Sequence, residues 1–265
     1  MDTTCRLCGG STRKVFEATL LSKHNVSYSL CPDCGLLQTE RPYWLDESYS
    51  SAIAASDTGQ MARASDQSRQ VAAIILALFD PNGRFVDYGG GYGVFTRMMR
   101  DRGFDFYWTD PYADNIICRG FEYDGNGKVE LVSSFETFEH FVEPKKDIDK
   151  ILNISDTVVF STELLPEKVP GPSEWWYYSL EHGQHIAFYS KRTMEHIATA
   201  HKLHYHACGH IHILTSRRLS DFKLRLLEKM PATIMDAWTS RQMRSRTASD
   251  MNLVIKGLKA GRMQG

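Results

Sequence analysis

The sequence predicts an α/β protein in which a parallel sheet is preceded by a small metal-binding module. The first observation is the stretch 84–110, RFVDYGGGYGVFTRMMRDRGFDFYWTD, which has the order strand, glycine loop, helix, strand and acidic residue. The second is a pair of Cys-x-x-Cys-Gly motifs near the start of the chain. With 265 residues, the chain can hold one sizeable α/β domain and such a module.

Residues 1–40 predict a module held together by metal. Cys5, Cys8, Cys31 and Cys34 place four thiolates on two tight turns, which is the ligand set of a closed structural zinc site. Residues 15–16 and 28–30 are candidate strands of a zinc ribbon. No apolar leader precedes them, so we expect a cytoplasmic protein with reduced thiols. Two disulfides are the alternative.

Residues 41–66 predict a linker or lid, because aromatic and small residues follow one another there without a period. Tyr43, Trp44 and Tyr49 either line a pocket or pack the module against the core. Helical spacing then predicts a helix over 67–79, which begins a core of residues 67–216.

The glycine loop predicts a nucleotide-type cofactor. Glycine adopts positive φ and lets the backbone approach a ligand. The spacing does not fit the dinucleotide fingerprint G-x-G-x-x-G, because Val94 or Thr96 occupies the position of the third glycine. Asp110 ends the second strand and can accept hydrogen bonds from a ribose diol. The alternative is a glycine turn in another kind of α/β domain. The candidate cofactor-binding residues of the loop are Asp87, Tyr88, Gly89, Gly90, Gly91 and Gly93.

The remaining elements follow in alternation. Residues 111–120 predict a short helix with Ile116 and Ile117 facing inward. We expect strands over 128–135 and 156–161, helices over 143–152 and 191–201, and an antiparallel hairpin over 203–208 and 210–215. Residues 217–265 predict a helical, rather basic tail.

The pattern Asp-x-Gly-x-Gly-x-Gly over 87–93, with Asp110 following, resembles motif I of class I S-adenosylmethionine-dependent methyltransferases. The resemblance implies a Rossmann-like sheet and S-adenosylmethionine as cofactor, with the glycines at its amino-acid end and Asp110 at its ribose. The E-x-x-E-H-x-x-x-P segment over 136–144 resembles the segment that lines the floor of the cofactor and acceptor sites in many small-molecule methyltransferases. It implies roles for Phe135 and Glu136 in binding cofactor and for His140 at the acceptor. Glu139 and His140 follow a predicted strand, and open α/β sheets bind ligands at the carboxyl ends of their strands. The alternative is a helix-capping acid and a structural histidine.

The C-P-D-C-G-L-L-Q segment over 31–38, ahead of such a domain, resembles the zinc-containing sugar C-methyltransferases. In that family the zinc module helps to cover the sugar-nucleotide site. The H-x-x-F-Y-S segment over 185–190 resembles their segment with a histidine at the acceptor. We expect no counterpart of their long C-terminal second α/β domain within these 265 residues. Its aromatic insert, residues 175–178, either stacks on a sugar or another flat acceptor or seals a lid.

Methyl transfer to a hydroxyl or a carbon acid needs a base, and histidine titrates near neutral pH. The candidate bases are His185, then His182, then His140. We therefore expect an S-adenosylmethionine-dependent O- or C-methyltransferase acting on a small-molecule or sugar/glycan acceptor.

Two alternatives remain open. One is a zinc-ribbon binding protein whose methyltransferase-like domain binds cofactor without catalysis, and the other is a nucleic-acid or protein methyltransferase. The net charge of −1 and the lack of an (Asn/Asp)-Pro-Pro-aromatic motif disfavour nucleic acid as a partner. No apolar run reaches the ~20 residues that span a bilayer, so no membrane partner is expected. The sequence indicates no oligomeric state.

Overall fold

The computed structural model describes residues 4–49 and 58–260. Parts of the expected zinc module (1–3), lid (50–57) and tail (261–265) lie outside the described residues. The strands are β1 Arg13–Leu20, β2 His24–Leu30, β3 Leu37–Thr39, β4 Arg84–Tyr88, β5 Asp105–Thr109, β6 Leu131–Ser134, β7 Thr157–Ser161, β8 Ala187–Phe188, β9 His204–Cys208 and β10 Ile211–Thr215. The helices are α1 Leu45–Ser48, α2 Gln60–Leu78, α3 Val94–Asp101, α4 Pro144–Ile154, α5 Lys191–Ala200, α6 Asp221–Glu228, α7 Ala232–Gln242 and α8 Thr247–Lys259.

The chain divides into two compact units, and each is discontinuous in sequence. One unit contains residues 1–56 and 135–218, and we call it the cysteine unit. The other contains residues 57–134 and 219–265, and we call it the glycine-loop unit. Among the described helices, none combines the length and the apolar character needed to cross a bilayer.

The glycine-loop unit contains three parallel strands in the order β5-β4-β6. Phe85 of β4 and Phe106 of β5 stack with their ring centroids 5.0 Å apart, and Phe95 of α3 packs edge-on against Phe106. The helix expected from residue 67 begins at Gln60, because the buried side chain of Ala64 continues its apolar face by another turn. The parallel strands and the glycine loop confirm the predicted α/β fold class.

Ion pairs attach the C-terminal helices to α2 and to the region of α3. Arg100 of α3 donates from Nε and Nη2 to the two carboxylate oxygens of Asp250 in α8, each at 2.8 Å. Both side chains are almost fully buried. Arg69 and Arg102 likewise donate to Asp236 of α7. The tail is helical, as expected, and its acidic groups pair with arginines of α2 and of the α3 region.

The helix expected over 111–120 is wrong. That segment forms bends and turns, and Ile116 and Ile117 are more than half exposed. Asp110 accepts hydrogen bonds from the backbone N–H groups of Tyr112 and Ala113. Asn115 exchanges two further hydrogen bonds with the backbone of residue 118. These side chains offer the backbone local partners that compete with a helix.

The cysteine unit contains a four-stranded antiparallel sheet in the order β1-β2-β3-β8. The strands expected at 15–16 and 28–30 are confirmed within β1 and β2. β8 joins from a distant part of the chain, with Leu37 opposite Phe188. An apolar cluster on this sheet includes Tyr28, Trp44 and Tyr178, all buried.

The same unit contains the antiparallel strands β7-β10-β9. β9 and β10 form the predicted hairpin, with His206 opposite Ile213 and the turn at Gly209, where φ is 61°. Ser190 is the N-cap of α5, and its side chain forms a reciprocal capping box with Thr193. A 3₁₀ turn, Phe138–His140, follows residue 135.

Candidate functional site

The glycine loop has left-handed backbone at three positions. φ is 71° at Gly89, 51° at Gly91 and 86° at Gly93, a region that favours glycine. A Cβ atom added at Gly93 would lie 2.6 Å from Asn115 Oδ1, whereas one added at Gly91 would meet nothing within 4 Å. Gly93 is therefore required by packing. At Gly91 the backbone is open to approach by a ligand.

Asp87, near the end of β4, supports the glycine loop through its buried carboxylate. Its carboxylate accepts hydrogen bonds from Thr96 Oγ1 at 2.9 Å and from Ser133 Oγ at 2.8 Å. The side chain is buried, and this burial raises the pKa of Asp87 to about 6. The sequence did not indicate that Thr96 and Ser133 bind Asp87, because a single hydroxyl residue in a helix or strand forms no recognisable sequence motif.

Asp110 and Trp108 fix both backbone groups of Gly91. Asp110 Oδ2 accepts from the Gly91 N–H at 2.9 Å, and Trp108 Nε1 donates to the Gly91 carbonyl at 2.9 Å. Asp110 Oδ1 accepts from two further backbone N–H groups. A carboxylate has about four acceptor positions, so Asp110 retains capacity for a ligand hydroxyl. The sequence did not indicate that Trp108 binds Gly91, because an aromatic residue in a strand is usually a residue of the hydrophobic core.

Phe135 and Glu136 belong to the cysteine unit. Glu136 is exposed and has a φ of 52°. Its backbone N–H donates to Ser161 Oγ at 3.1 Å, and that hydroxyl donates to Glu136 Oε1 at 2.6 Å. Ser161, the last residue of β7, thus fixes the conformation of Glu136.

The four expected metal ligands lie together. The Sγ atoms of Cys5 and Cys34 are 3.6 Å apart, those of Cys8 and Cys31 are 3.5 Å apart, and all four lie within 4.8 Å of one another. All four are free thiols. Gly9 and Gly35 close matching turns at φ values of 78° and 80°, each donating its N–H to the carbonyl of the first cysteine of its motif. The set fits a tetrahedral zinc ion.

Arg6 connects the first cysteine turn to the segment before β8. Its guanidinium donates to the carbonyls of Ile186 at 2.7 Å, Val142 at 3.2 Å and Thr39 at 3.3 Å. Its backbone N–H donates to Gln38 Oε1 at 2.9 Å. The cysteine turn and the loop that carries the candidate histidines are therefore packed as one structure.

Two of the three candidate bases lie together with an acidic residue. One ligand atom each of Glu139, His140 and His185 lies within 4.8 Å of the others, and the two imidazole rings are 5.0 Å apart. We call this set the histidine cluster. His182 is half-buried and lies outside it.

The hydrogen bonds of both rings use Nδ1. His185 Nδ1 lies 2.7 Å from the carbonyl of Tyr177, and His140 Nδ1 lies 3.1 Å from the carbonyl of Gln184 and 3.1 Å from the hydroxyl of Tyr49. Because a carbonyl can only accept, Nδ1 of each neutral ring carries the hydrogen, and Nε2 presents its lone pair.

Glu139 is fully buried, and neither of its carboxylate oxygens has a hydrogen-bond partner among residues 4–49 and 58–260. Burial raises the pKa of Glu139, whereas His185 and, more weakly, the hydroxyls of Tyr177 and Thr162 favour its charged form; neither hydroxyl meets hydrogen-bond geometry. Burial is the largest cause that lowers the pKa of His140, and the neighbouring His185 is the second. Together they lower this pKa to about 3, so the His140 ring is neutral at pH 7. The sequence indicated Glu139 only through its place before His140.

The aromatic insert, residues 175–178, contains both buried and exposed side chains. Tyr177 and Tyr178 are buried, whereas Trp176 is 77% exposed. The rings of Trp176 and Tyr177 are 5.3 Å apart, and those of Tyr177 and His185 are 4.6 Å apart. Trp176 is thus an exposed aromatic residue that is separated from the histidine cluster by the ring of Tyr177.

The N-terminal aromatics divide in the same way. Trp44 is a packing residue, buried and donating from Nε1 to the carbonyl of Gly183 at 2.7 Å. Tyr43 is 65% exposed, and its ring contacts those of His24 and Trp44. Tyr49 is also exposed, but its hydroxyl reaches His140.

The chain matches the family model described as "Methyltransferase domain" over residues 63–207, more than half of its length. Similar solved structures include magnesium protoporphyrin IX methyltransferase (ChlM) from Synechocystis PCC 6803 with bound S-adenosylmethionine, at 13% identity over 66% of this chain and 92% of that one, with a TM-score of 0.41. An O-methyltransferase family protein from Burkholderia thailandensis is 14% identical over 67% and 68% of the two chains, with a TM-score of 0.42. TnmH is 17% identical over 66% and 60%, with a TM-score of 0.44.

No curated protein sequence matches the chain. The family match, the glycine loop with Asp110 and the α/β fold agree with one another. The chain belongs to the methyltransferase-domain family and is a class I, S-adenosylmethionine-dependent methyltransferase.

Proposed function

We propose that this protein methylates a hydroxyl or an acidic carbon of a small molecule, with sugars among the acceptors. The observation that carries the proposal is the histidine cluster, in which a ring nitrogen of His185 lies within 4.8 Å of a carboxylate oxygen of the buried Glu139. The acceptor atom gains the methyl group, and the C–S bond breaks with its electron pair passing to sulfur. The acceptor proton passes to His185 Nε2.

The cofactor side of the proposal rests on the glycine loop. The open backbone at Gly91 would contact the amino-acid end of S-adenosylmethionine, and Asp110 would accept from the ribose diol. Asp87 supports the loop from its buried position. Phe135 and the exposed Glu136 remain proposed cofactor contacts from their place in the E-x-x-E-H segment.

His185 remains the first candidate for the base. The Tyr177 carbonyl fixes its tautomer, and the carboxyl group of Glu139 lies close enough to stabilise an imidazolium. His140 is the weakest candidate, because a pKa of about 3 makes it a poor proton acceptor at neutral pH. His182 stays second as a neighbour on the same loop.

The acceptor would stack on Trp176, whose exposed face suits a sugar or another flat molecule. Zinc at the four cysteines would be structural, because the closed set leaves no position for water. Four free thiols in one cluster also support a cytoplasmic location, where cysteines stay reduced.

The experiment begins with a screen of hydroxylated small molecules and sugar nucleotides for release of S-adenosylhomocysteine. With the acceptor found, His185→Gln should lower kcat by about 10²–10⁴, the usual contribution of general-base catalysis. The Kd for S-adenosylhomocysteine should stay unchanged. His182→Gln is the matched control on the same loop. If His182→Gln loses turnover while His185→Gln keeps it, the base is His182, and if neither variant loses turnover, transfer proceeds without a histidine base.

A further inference from the structure

We propose that Glu139, His140 and His185 bind a divalent transition-metal cation, in a second metal centre separate from the four cysteines. Two imidazole nitrogens and one carboxylate are the ligand set of catalytic zinc sites and of the 2-His-1-carboxylate iron site. Three protein ligands leave coordination positions open for an acceptor oxygen. The inference rests on the methyl transfer of the proposed function for the identity of that oxygen, but it makes His185 a metal ligand in place of the base.

The first support is the orientation of the imidazoles. Metal-binding histidines almost always donate their second ring N–H to a carboxylate, a backbone carbonyl or water, which fixes the ring and its tautomer. Both rings of the cluster show this arrangement, through the carbonyls of Tyr177 and Gln184. Both Nε2 atoms are therefore available as ligands. The hydroxyl of Tyr49 adds a second contact at Nδ1 of His140.

The second support is Glu139. A buried carboxyl group without hydrogen-bond partners is costly, and buried charges are normally paired or bound to metal. Neither oxygen of Glu139 has such a partner in the described part of the chain, although the group is fully buried. Even a protonated carboxyl group would leave its O–H and its carbonyl unpaired here. A cation held by this carboxylate and two neutral imidazoles accounts for all three side chains together.

The charge of the centre indicates what it would accept. One carboxylate leaves a divalent cation with a net charge of about +1 in a buried setting, which an anionic oxygen of the acceptor would balance. Metal coordination would lower the pKa of a bound hydroxyl, so that its proton passes to solvent and the remaining oxygen is the nucleophile without a histidine base. A metal-bound His185 cannot take up a proton, so the base and the ligand roles of this residue are mutually exclusive.

The test uses the full-length, untagged protein with its cysteines loaded with zinc, titrated with Co²⁺. Calorimetry and visible absorption should show one additional Co²⁺ per chain without a thiolate-to-cobalt charge-transfer band. Glu139→Gln and His185→Gln should each weaken Co²⁺ binding by at least about 100-fold, the upper end of the loss seen when only an outer partner of a metal ligand is removed. His182→Gln should bind Co²⁺ as the parent does.

A rival site is β9 of the hairpin, where the rings of the half-buried His204 and His206 are 6.3 Å apart. If His206→Gln abolishes Co²⁺ binding and Glu139→Gln does not, the cation binds at the hairpin and the proposal is wrong. Absence of any Co²⁺ binding beyond the cysteine site also overturns it. Retained binding of S-adenosylhomocysteine by each variant shows that it is folded. Co²⁺ bound at the cluster in a protein without methyl transfer would refute the proposed function and leave the metal site standing.

Discussion

Replacing Gly91 by alanine tests the proposed position of the cofactor with little disturbance of the fold. The hydrogen bonds of Gly91 to Asp110 and Trp108 use its N–H and C=O groups, which alanine keeps. The added Cβ meets no protein atom within 4 Å. At a φ of 51°, the left-handed backbone costs an L-residue about 1–2 kcal/mol of unfolding free energy. If the cofactor lies against this backbone, the methyl group should cost a further ~1–3 kcal/mol of binding free energy, typical of overpacking.

The expected result is therefore a Kd for S-adenosylhomocysteine raised about 5- to 150-fold, measured by calorimetry. Gly125→Ala is the matched control, because Gly125 has a φ of 77° and equally open surroundings but lies outside the loop. Urea unfolding should show a similar loss of stability in both variants. If Gly91→Ala binds S-adenosylhomocysteine as tightly as Gly125→Ala does, the cofactor does not lie at Gly91, and the assignment of the loop is wrong.

Three further predictions concern Asp110, the cysteines and Asp87. Asp110→Ala should weaken S-adenosylhomocysteine binding by about 1.5–3 kcal/mol and abolish discrimination against a 2′,3′-dideoxyribose analogue; discrimination as strong as the parent's would remove Asp110 from the ribose site. Cys31→Ser should release zinc in elemental analysis while Cys208→Ser retains it, and zinc retained by Cys31→Ser would refute the four-cysteine site. Asp87 has a pKa of about 6 in the fold against 3.8 for the free group, so the folded protein binds the extra proton between these values. The free energy of unfolding should therefore fall by about 2 kcal/mol as pH rises from 4 to 6, and Asp87→Asn should remove that slope.

The parts of the fold that could be predicted are those set by local pattern. The glycines after β4 and the acid after β5 indicated a cofactor loop, because strand ends and positive φ leave a direct mark in sequence. The cysteine spacing likewise led to four sulfur atoms in one cluster. The helix predicted over 111–120 was wrong, because the side chains of Asp110 and Asn115 form hydrogen bonds with the backbone that favour turns over a helix.

Long-range arrangements could not be predicted. β8 is a strand of two residues, too short for any period, and its partner β3 lies far away in the chain. The histidines were candidates because of their residue type alone. His140 and His185 lie together with Glu139, and His182 does not. This grouping depends on tertiary contacts between a 3₁₀ turn and a loop. The support of Gly91 by Trp108 depends in the same way on tertiary contact.

The pairing of β8 with β3 determines which shorter fragments of the protein can keep its structure. β8 directly follows the loop of His185, and Arg6 binds the Ile186 carbonyl at the start of that strand. A fragment limited to the family-matched region, residues 63–207, would leave β8 with an unpaired edge and the Ile186 carbonyl without its guanidinium donor. Exposed strand edges promote aggregation. A fragment that keeps His185 in position must therefore extend far enough towards the N-terminus to include β3 and the cysteine turns.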